Sequence, residues 1–324
     1  MKKLFRYLGI IGFTITSASL LADTGKIDAF TDKMVSEHGF KRSEVTGILK
    51  QAQRRQDIID KISKPAERTL NWGQYRKIFL TEKRTSQGIE FWRRNSKALK
   101  DAERKYGVPP QIIVSIIGIE TFYGRITGKD RVLDALYTLA FHYPKRSKFF
   151  IGELESYLVL TREEKMDPAK PKGSYAGAMG LGQFMPSSYL GYAVDFDGDG
   201  KRDIWNNEVD AIGSVANYFA RHGWSKGKPV TRQVTGVKPG HQKFIEAGMK
   251  PSISIAELRK AGIDTGAGLP GKMLSSLIEL ETEAGKEFWL GLPNFYTITR
   301  YNHSNMYAMA AYQLSERIRL KMGL

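Results

Sequence analysis

The stretch that most constrains this chain is Val114-Ser115-Ile116-Ile117-Gly118-Ile119-Glu120-Thr121-Phe122-Tyr123-Gly124. It reads as a helix that is apolar almost all round. Pro109 and Pro110 suit its first turn, and Gly124 suits its C-cap. A helix apolar on every side belongs in the middle of a domain. Its one carboxylate, Glu120, must then be paired, protonated or set at the wall of a cleft, because an isolated buried charge is costly. On this stretch alone two readings stand side by side. Glu120 either pairs with Arg125 and ends the helix, or is kept protonated and serves as a general acid.

The remainder of the 324-residue chain narrows the class of protein. Lys2, Lys3 and Arg6 precede an apolar run from Leu8 towards Leu21, which reads as a cleaved signal peptide over residues 1–22 with Ala22 as its last residue, the alternative being an uncleaved anchor for which the run is short. No later stretch is long and apolar enough to span a bilayer. There is no cysteine, which removes disulfides, thiol catalysis, thiolate metal sites and a lipidated N-terminal cysteine. The expected product is therefore exported, soluble and not lipidated. The formal charge is +16; Lys2, Lys3 and Arg6 carry three of these charges, so +13 remains beyond the leader. Such an excess suits a polyanionic partner or a solvated basic surface. Export and the lack of arginine runs interleaved with stacking aromatics argue against nucleic acid.

Periodicity predicts helices over Ile27–Glu37, from a Ser43 cap to about Arg54, over Tyr75–Leu80, as one long helix over Thr85–Tyr106, and over Arg131–His142 and Phe149–Leu160. Further helices are expected over Asp210–Arg221 and Ser304–Met322. Lys165–Gly182 reads as a loop rich in Pro, Gly, Ala and Ser. Val230–Val237, Ser252–Ile255, Leu274–Glu281 and Phe288–Thr299 favour strands. The fold class is thus mainly α with a small β-rich insert.

Three further stretches can carry chemistry. In Ser174-Tyr175-Ala176-Gly177-Ala178-Met179-Gly180-Leu181-Gly182-Gln183-Phe184-Met185-Pro186-Ser187, small residues admit close backbone approach, and Ser174 and Gln183 can bind polar groups of an extended ligand. The loop Asp195-Phe196-Asp197-Gly198-Asp199-Gly200-Lys201-Arg202-Asp203-Ile204-Trp205 has carboxylates at alternate positions and glycine at the sixth, the first half of an EF-hand-like calcium loop. Its second half departs from that pattern. Asn206 stands where a bidentate Glu is expected, and Glu208 or Asp210 could close a longer loop. The third stretch, from Pro293 to Tyr307, interleaves aromatics and amides as sugar-lined clefts do, and as ordinary cores and caps also do. A buried acid, a glycine-rich polar wall, an aromatic wall and export together suggest a carbohydrase. Most such enzymes use two carboxylates. Glu153, Glu155, Glu163 and Glu164 are present, but none lies in a stretch comparable to that of Glu120, which brings a single-acid mechanism into consideration.

The segments Ile119–Gly124, Gly177–Ser187, Asp195–Trp205 and Asn294–Asn302 resemble, in order, those of the B-type lytic murein transglycosylases. The resemblance implies a lysozyme-like catalytic core with an N-terminal helical region. It also implies cleavage of the N-acetylmuramic acid to N-acetylglucosamine β-1,4 bond of peptidoglycan, with formation of a 1,6-anhydro ring and with Glu120 as the single acid and base. By the same resemblance, Ser174, Gln183, Tyr218, Tyr301, Asn302 and Tyr307 line the sugar cleft. Arg146 meets the acidic peptide stem. Structural Ca²⁺ is held by Asp195, Asp197, Asp199, Lys201, Asp203 and Asp210, of which Asp210 follows one extra residue. The expected organisation is a leader over 1–22, a helical region over 23–84, a catalytic core over 85–227 with the calcium loop at 195–210, a β-rich insert over 228–296, and a return to the core over 297–324. The implied setting is periplasmic. Glycan strands, and cell-wall synthesis or remodelling proteins, are the implied partners. The rival readings are a hydrolytic muramidase on the same core and a non-catalytic peptidoglycan-binding scaffold.

Overall fold

The structure, a computed structural model, describes residues 15–63 and 70–324, with side chains from residue 25. The expected leader lies outside the described residues except for the backbone of 15–22, which belongs to the first helix. In chain order the helices are α1 (Ile15–His38), α2 (Arg42–Leu49), α3 (Gln56–Ser63), α4 (Trp72–Phe79), α5 (Glu82–Arg94), α6 (Ser96–Tyr106), α7 (Pro110–Thr121), α8 (Val132–His142), α9 (Ser147–Glu163), α10 (Pro186–Tyr192), α11 (Glu208–Arg221), α12 (Gln242–Glu246), α13 (Ile255–Lys260), α14 (Pro293–Tyr301) and α15 (Asn305–Lys321). The strands are β1 (Asp130–Arg131), β2 (Lys172–Gly173), β3 (Thr231–Val234), β4 (Ile253–Ser254), β5 (Leu274–Thr282) and β6 (Gly285–Gly291). The predominantly helical class with a small antiparallel sheet is as the sequence predicts. No described helix is long and apolar enough to cross a membrane.

These elements form two compact units that interleave along the chain. The first takes the described residues up to Ser63, with 130–171 and 175–177. Here α8 and α9 pack together, and Leu133, Leu136, Leu154 and Tyr157 on them are fully buried. The buried Asp134 carboxylate accepts the Gln53 amide at 2.9 Å and a fork from Arg131 at 2.6 and 2.9 Å. A buried carboxylate so satisfied pins the segment after α2 to α8.

The second unit takes the described residues from 70 to 129, 172–174 and 178–324. At its centre α7 is packed by α5, α6, α11 and α15. Ile113, Ile116 and Ile117 are wholly buried, each contributing about 1.5–3 kcal/mol in area terms. The apolar stretch is therefore the middle of a unit, as its composition predicts. Residues 228–292 supply a four-stranded antiparallel sheet in the order β3-β6-β5-β4, with Leu277 opposite Leu290 and Ile278 opposite Trp289. Its core gathers Phe244, Ile255, Leu258, Ile263, Leu277 and Leu290.

Four local expectations need correction. Ser43 does not cap α2; Lys41 precedes the helix, which ends at Leu49. The long helix over Thr85–Tyr106 is two, α5 and α6, broken at Asn95. That side chain is buried and donates to the Phe91 carbonyl at 3.1 Å and to Glu208 Oε2 at 2.5 Å. Backbone at 293–299 is helical, not extended. Pro293 sits at the first helical position and Phe295, Ile298 and Thr299 are buried, so packing overrides the strand propensity of Tyr, Thr and Ile. Finally, the left-handed residue that caps α7 is Phe122 (φ 52°) and not Gly124, followed by Tyr123 at φ 61° and Gly124 at φ 84°.

Candidate active site

Glu120 lies in the last turn of α7, half-buried at the end of the apolar helix. Two backbone bonds close that end, Phe122 N–H to the Gly118 carbonyl at 3.1 Å and Tyr123 N–H to the Ile117 carbonyl at 3.3 Å. The neighbouring Thr121 hydroxyl donates to the Leu181 carbonyl at 2.8 Å and accepts the Gly124 amide at 3.0 Å. Thr121 thus ties the helix end to the glycine-rich stretch.

That stretch folds tightly on itself. Met179 and Phe184 exchange backbone hydrogen bonds at 2.8 and 2.9 Å, and Leu181 N–H donates to the Ile204 carbonyl at 2.9 Å. Gly180 has φ 68°, and a Cβ there would lie 2.5 Å from the Ile204 carbonyl oxygen, so only glycine fits. Ser174 Oγ accepts the Ala178 amide at 3.1 Å. Gln183 is itself left-handed, at φ 51°. Its side-chain amide donates to the Gly180 and Thr127 carbonyls at 2.9 and 3.1 Å. The sequence predicts an amide that both donates and accepts towards a ligand. In the fold both N–H groups serve the backbone, which leaves Oε1 as the acceptor.

The far wall comes from α11, α14 and α15. Ser304 caps α15 by accepting the Tyr307 amide at 3.2 Å. The first turn of that helix then aims the Tyr307 hydroxyl at Glu120, where it donates to Oε1 at 2.5 Å. Burial, and next the charge of Glu120, push the Tyr307 phenol well above its ordinary pKa; the same two causes act in the same order on Tyr301. Tyr307 therefore keeps its proton and remains a donor to the carboxylate.

Tyr218 and Tyr301 have different occupations. The Tyr301 hydroxyl donates to the Gly182 carbonyl and the Tyr218 hydroxyl to the Arg300 carbonyl, both at 2.5 Å. The two rings meet edge to face at 4.8 Å. Burial and neighbouring Tyr192 push the Tyr218 phenol to about 12. Both side chains bind main chain through oxygen. Asn302 ends α14 in extended conformation, and among the described residues its side chain makes no hydrogen bond. His222, just past the end of α11, is the neighbour of Tyr218 that the sequence does not single out. It stacks on Tyr218 at 4.0 Å with 20° between planes, and its Nδ1–H donates to the Tyr218 carbonyl at 2.7 Å. The four-residue spacing of Tyr218 and His222 on a helix was the signal for this contact.

The structure brings Glu120, Ser174, Gln183, Tyr218, Tyr301, Asn302 and Tyr307 into one unit. Arg146 belongs to the other. It ends a 3₁₀ turn over Pro144–Arg146, its guanidinium 4.4 Å from the Phe149 ring centre.

The acidic loop converges in part. Asp195, Asp197, Asp199 and Asp210 bring carboxylate oxygens within 4.8 Å of one another. Backbone amides of Gly200, Gly198 and Asp199 hold the Asp195 carboxyl below its ordinary pKa. Burial raises that of Asp210, which accepts the Phe196 and Asp203 amides at 2.7 and 2.8 Å. Four hard oxygen donors in one cluster, with no sulfur or imidazole among them, suit Ca²⁺. The extra residue before Asp210 does not keep it out. Asp203 does not join as a carboxylate. Its oxygens accept from the Trp205 and Asn206 amides, each at 2.9 Å, and from the Asn206 side chain. The short loop turns it back on its own backbone as an Asx turn.

Comparison with known proteins gives a consistent result. The Transglycosylase SLT domain family matches residues 22–316. Membrane-bound lytic murein transglycosylase B of Escherichia coli (strain K12) is 47% identical over 308 residues, covering 92% of this chain and 84% of that protein. The structure of soluble lytic transglycosylase SltB1 from Pseudomonas aeruginosa superposes with a TM-score of 0.88 at 47% identity, over 92% of this chain and all of that one. Escherichia coli lytic transglycosylase Slt35 in complex with calcium superposes with a TM-score of 0.84 at 48% identity, over 92% of this chain and 94% of that one.

Proposed function

The chain belongs to the transglycosylase SLT domain family and is a lytic transglycosylase of peptidoglycan; on that premise we propose that Glu120 is its single acid and base. Glu120 protonates the glycosidic oxygen between N-acetylmuramic acid and N-acetylglucosamine as the bond to C1 breaks. The carboxylate so formed takes the proton of the muramic acid C6 hydroxyl, whose oxygen closes on C1 as a 1,6-anhydro ring. No water is consumed. The substrate's 2-acetamido group covers the electron-poor C1, the role that a second carboxylate has in most glycosidases.

The observation that carries this reading is the Tyr307 hydroxyl on Glu120 Oε1. A protonated phenol at that distance stabilises the carboxylate in the second half of the reaction and fixes its orientation. Gln183 Oε1, Ser174 and Asn302 supply polar contacts to sugars, and Tyr218 and Tyr301 supply ring surface. Arg146 meets the acidic peptide stem. Asp195, Asp197, Asp199 and Asp210, with the Lys201 carbonyl, hold Ca²⁺, which supplies fold stability and takes no part in the bond cleavage. The setting is the periplasm, reached through the leader.

Glu120→Gln on purified sacculi tests the assignment. Turnover falls by about a thousandfold or more, while sedimentation with sacculi persists. Lysis at the wild-type rate gives the acid to another residue.

A further inference from the structure

On the second unit lies a cleft of about 660 Å³ between α6 and the start of the acidic loop. It shares no lining residue with the sugar-binding set. Its cations are Arg94, Lys97, Arg104 and Lys105, and its carboxylates are Asp101 and Asp197; Arg94 is already held by a fork to Glu208 at 2.7 and 3.0 Å, which leaves Lys97, Arg104 and Lys105 to meet an anion. The helix above it is strongly one-sided. Ala98, Leu99 and Ala102 face inward, whereas Lys97, Lys100, Arg104 and Lys105 are exposed. Asp101 is shared by Lys97 at 2.9 Å and Arg104 at 2.7 Å, although those side chains remain 91% and 79% accessible. Exposed pairs of this kind are weak and leave both cations available. Lys105 has an aromatic setting, its Nζ 5.2 Å from the Tyr106 ring centre and 5.3 Å from that of Phe196. The cleft therefore combines a cationic rim with an aromatic and aliphatic wall of Phe196, Ala98 and Val209. Carboxylates carried on a short peptide with small apolar side chains match both parts. A bare phosphate surface would match only the rim.

We propose that this cleft is a second substrate-holding site, which takes the carboxylates of a peptidoglycan peptide stem outside the strand being cut. The source of the peptide rests on the transglycosylase reading. Phe196 and Asp197 also belong to the loop that gathers the four carboxylates. A divalent cation held there neutralises Asp197 and removes the carboxylate that most opposes an anion in the cleft. Calcium and the acidic peptide then favour one another by the same factor, as linkage requires.

The test is calorimetric titration of the full chain with a synthetic stem peptide bearing free carboxylates, and with its fully amidated counterpart, at low salt with calcium. The acidic peptide should bind saturably and the amidated one at least about tenfold more weakly. The double variant Lys97→Glu/Arg104→Glu should weaken the acidic peptide by about tenfold or more at unchanged melting temperature, Lys105→Gln should weaken it less, and a chelator should weaken it in the wild type. Equal affinity for both peptides, wild-type affinity in the double variant, or indifference to calcium overturns the proposal. So does the double variant's loss of binding to anionic phospholipid vesicles where the peptide does not bind at all, which would make the cleft a membrane contact. Anhydro products from peptide-free glycan test the transglycosylase reading separately, whichever way the titration falls.

Discussion

The Tyr307 hydroxyl and Glu120 Oε1 stand 2.5 Å apart, although 187 residues of chain separate them. One group closes the apolar helix α7 and the other opens α15, and these two helices pack side by side in the second unit. The contact gives the carboxylate a donor that burial keeps protonated.

Tyr307→Phe removes that donor and leaves the ring. A hydrogen bond to a charged group is worth about 1.5–3 kcal/mol, so kcat should fall by about tenfold or more while KM changes little. A variant that turns over sacculi at the full rate would deprive Tyr307 of this role.

Left-handed Phe122 and Tyr123 place the Glu120 turn. The Tyr123 hydroxyl donates to the Arg84 carbonyl at 2.9 Å, and a Cβ on Gly118 would lie 2.5 Å from that hydroxyl oxygen. Gly118→Ala forces the ring off α7 and should cost about 1–3 kcal/mol in chemical denaturation. Tyr123→Phe should be milder in stability, yet lower kcat more than it alters KM, because the end of α7 loosens.

Calcium should raise the melting temperature, by mass action on the folded state. The effect should vanish in Asp195→Ala and Asp210→Asn and persist in Asp203→Asn, whose carboxylate is turned away from the cluster. Equal melting temperatures in calcium and in chelator would count against a bound ion.

His222 supplies a pH dependence of stability. Burial, ahead of the nearby Arg300 charge, lowers its pKa, so the folded state holds it neutral where the unfolded chain takes up a proton. Below about 6.5 the unfolded state binds more protons, and stability is lost as pH falls from there through the lowered folded value. Thermal melts from pH 8 to 5 should show this loss, and His222→Gln should flatten it.

Much of the site was legible in the sequence because it sits where local rules are strongest. An apolar run with one carboxylate, a cluster of glycines and alternating aspartates each declare themselves over a dozen residues. The break at Asn95 was not legible, since it depends on Glu208, more than a hundred residues away. The turn at Phe122 was hidden for a related reason. Gly124 is the better left-handed residue, and only the packing of the Tyr123 ring against Gly118 and Gly88 explains why the turn comes earlier. The side-chain roles of Gln183, Tyr218 and Tyr301 were half legible. Composition marks them as polar and aromatic, but which of their atoms bind backbone is decided by tertiary contacts.

Mass spectrometry of the muropeptides released from purified sacculi tests the central claim most directly. The account predicts products that end in 1,6-anhydro-N-acetylmuramic acid, with no oxygen incorporated from labelled water. Products that end in a reducing sugar and carry the label would contradict it and make the protein a hydrolase.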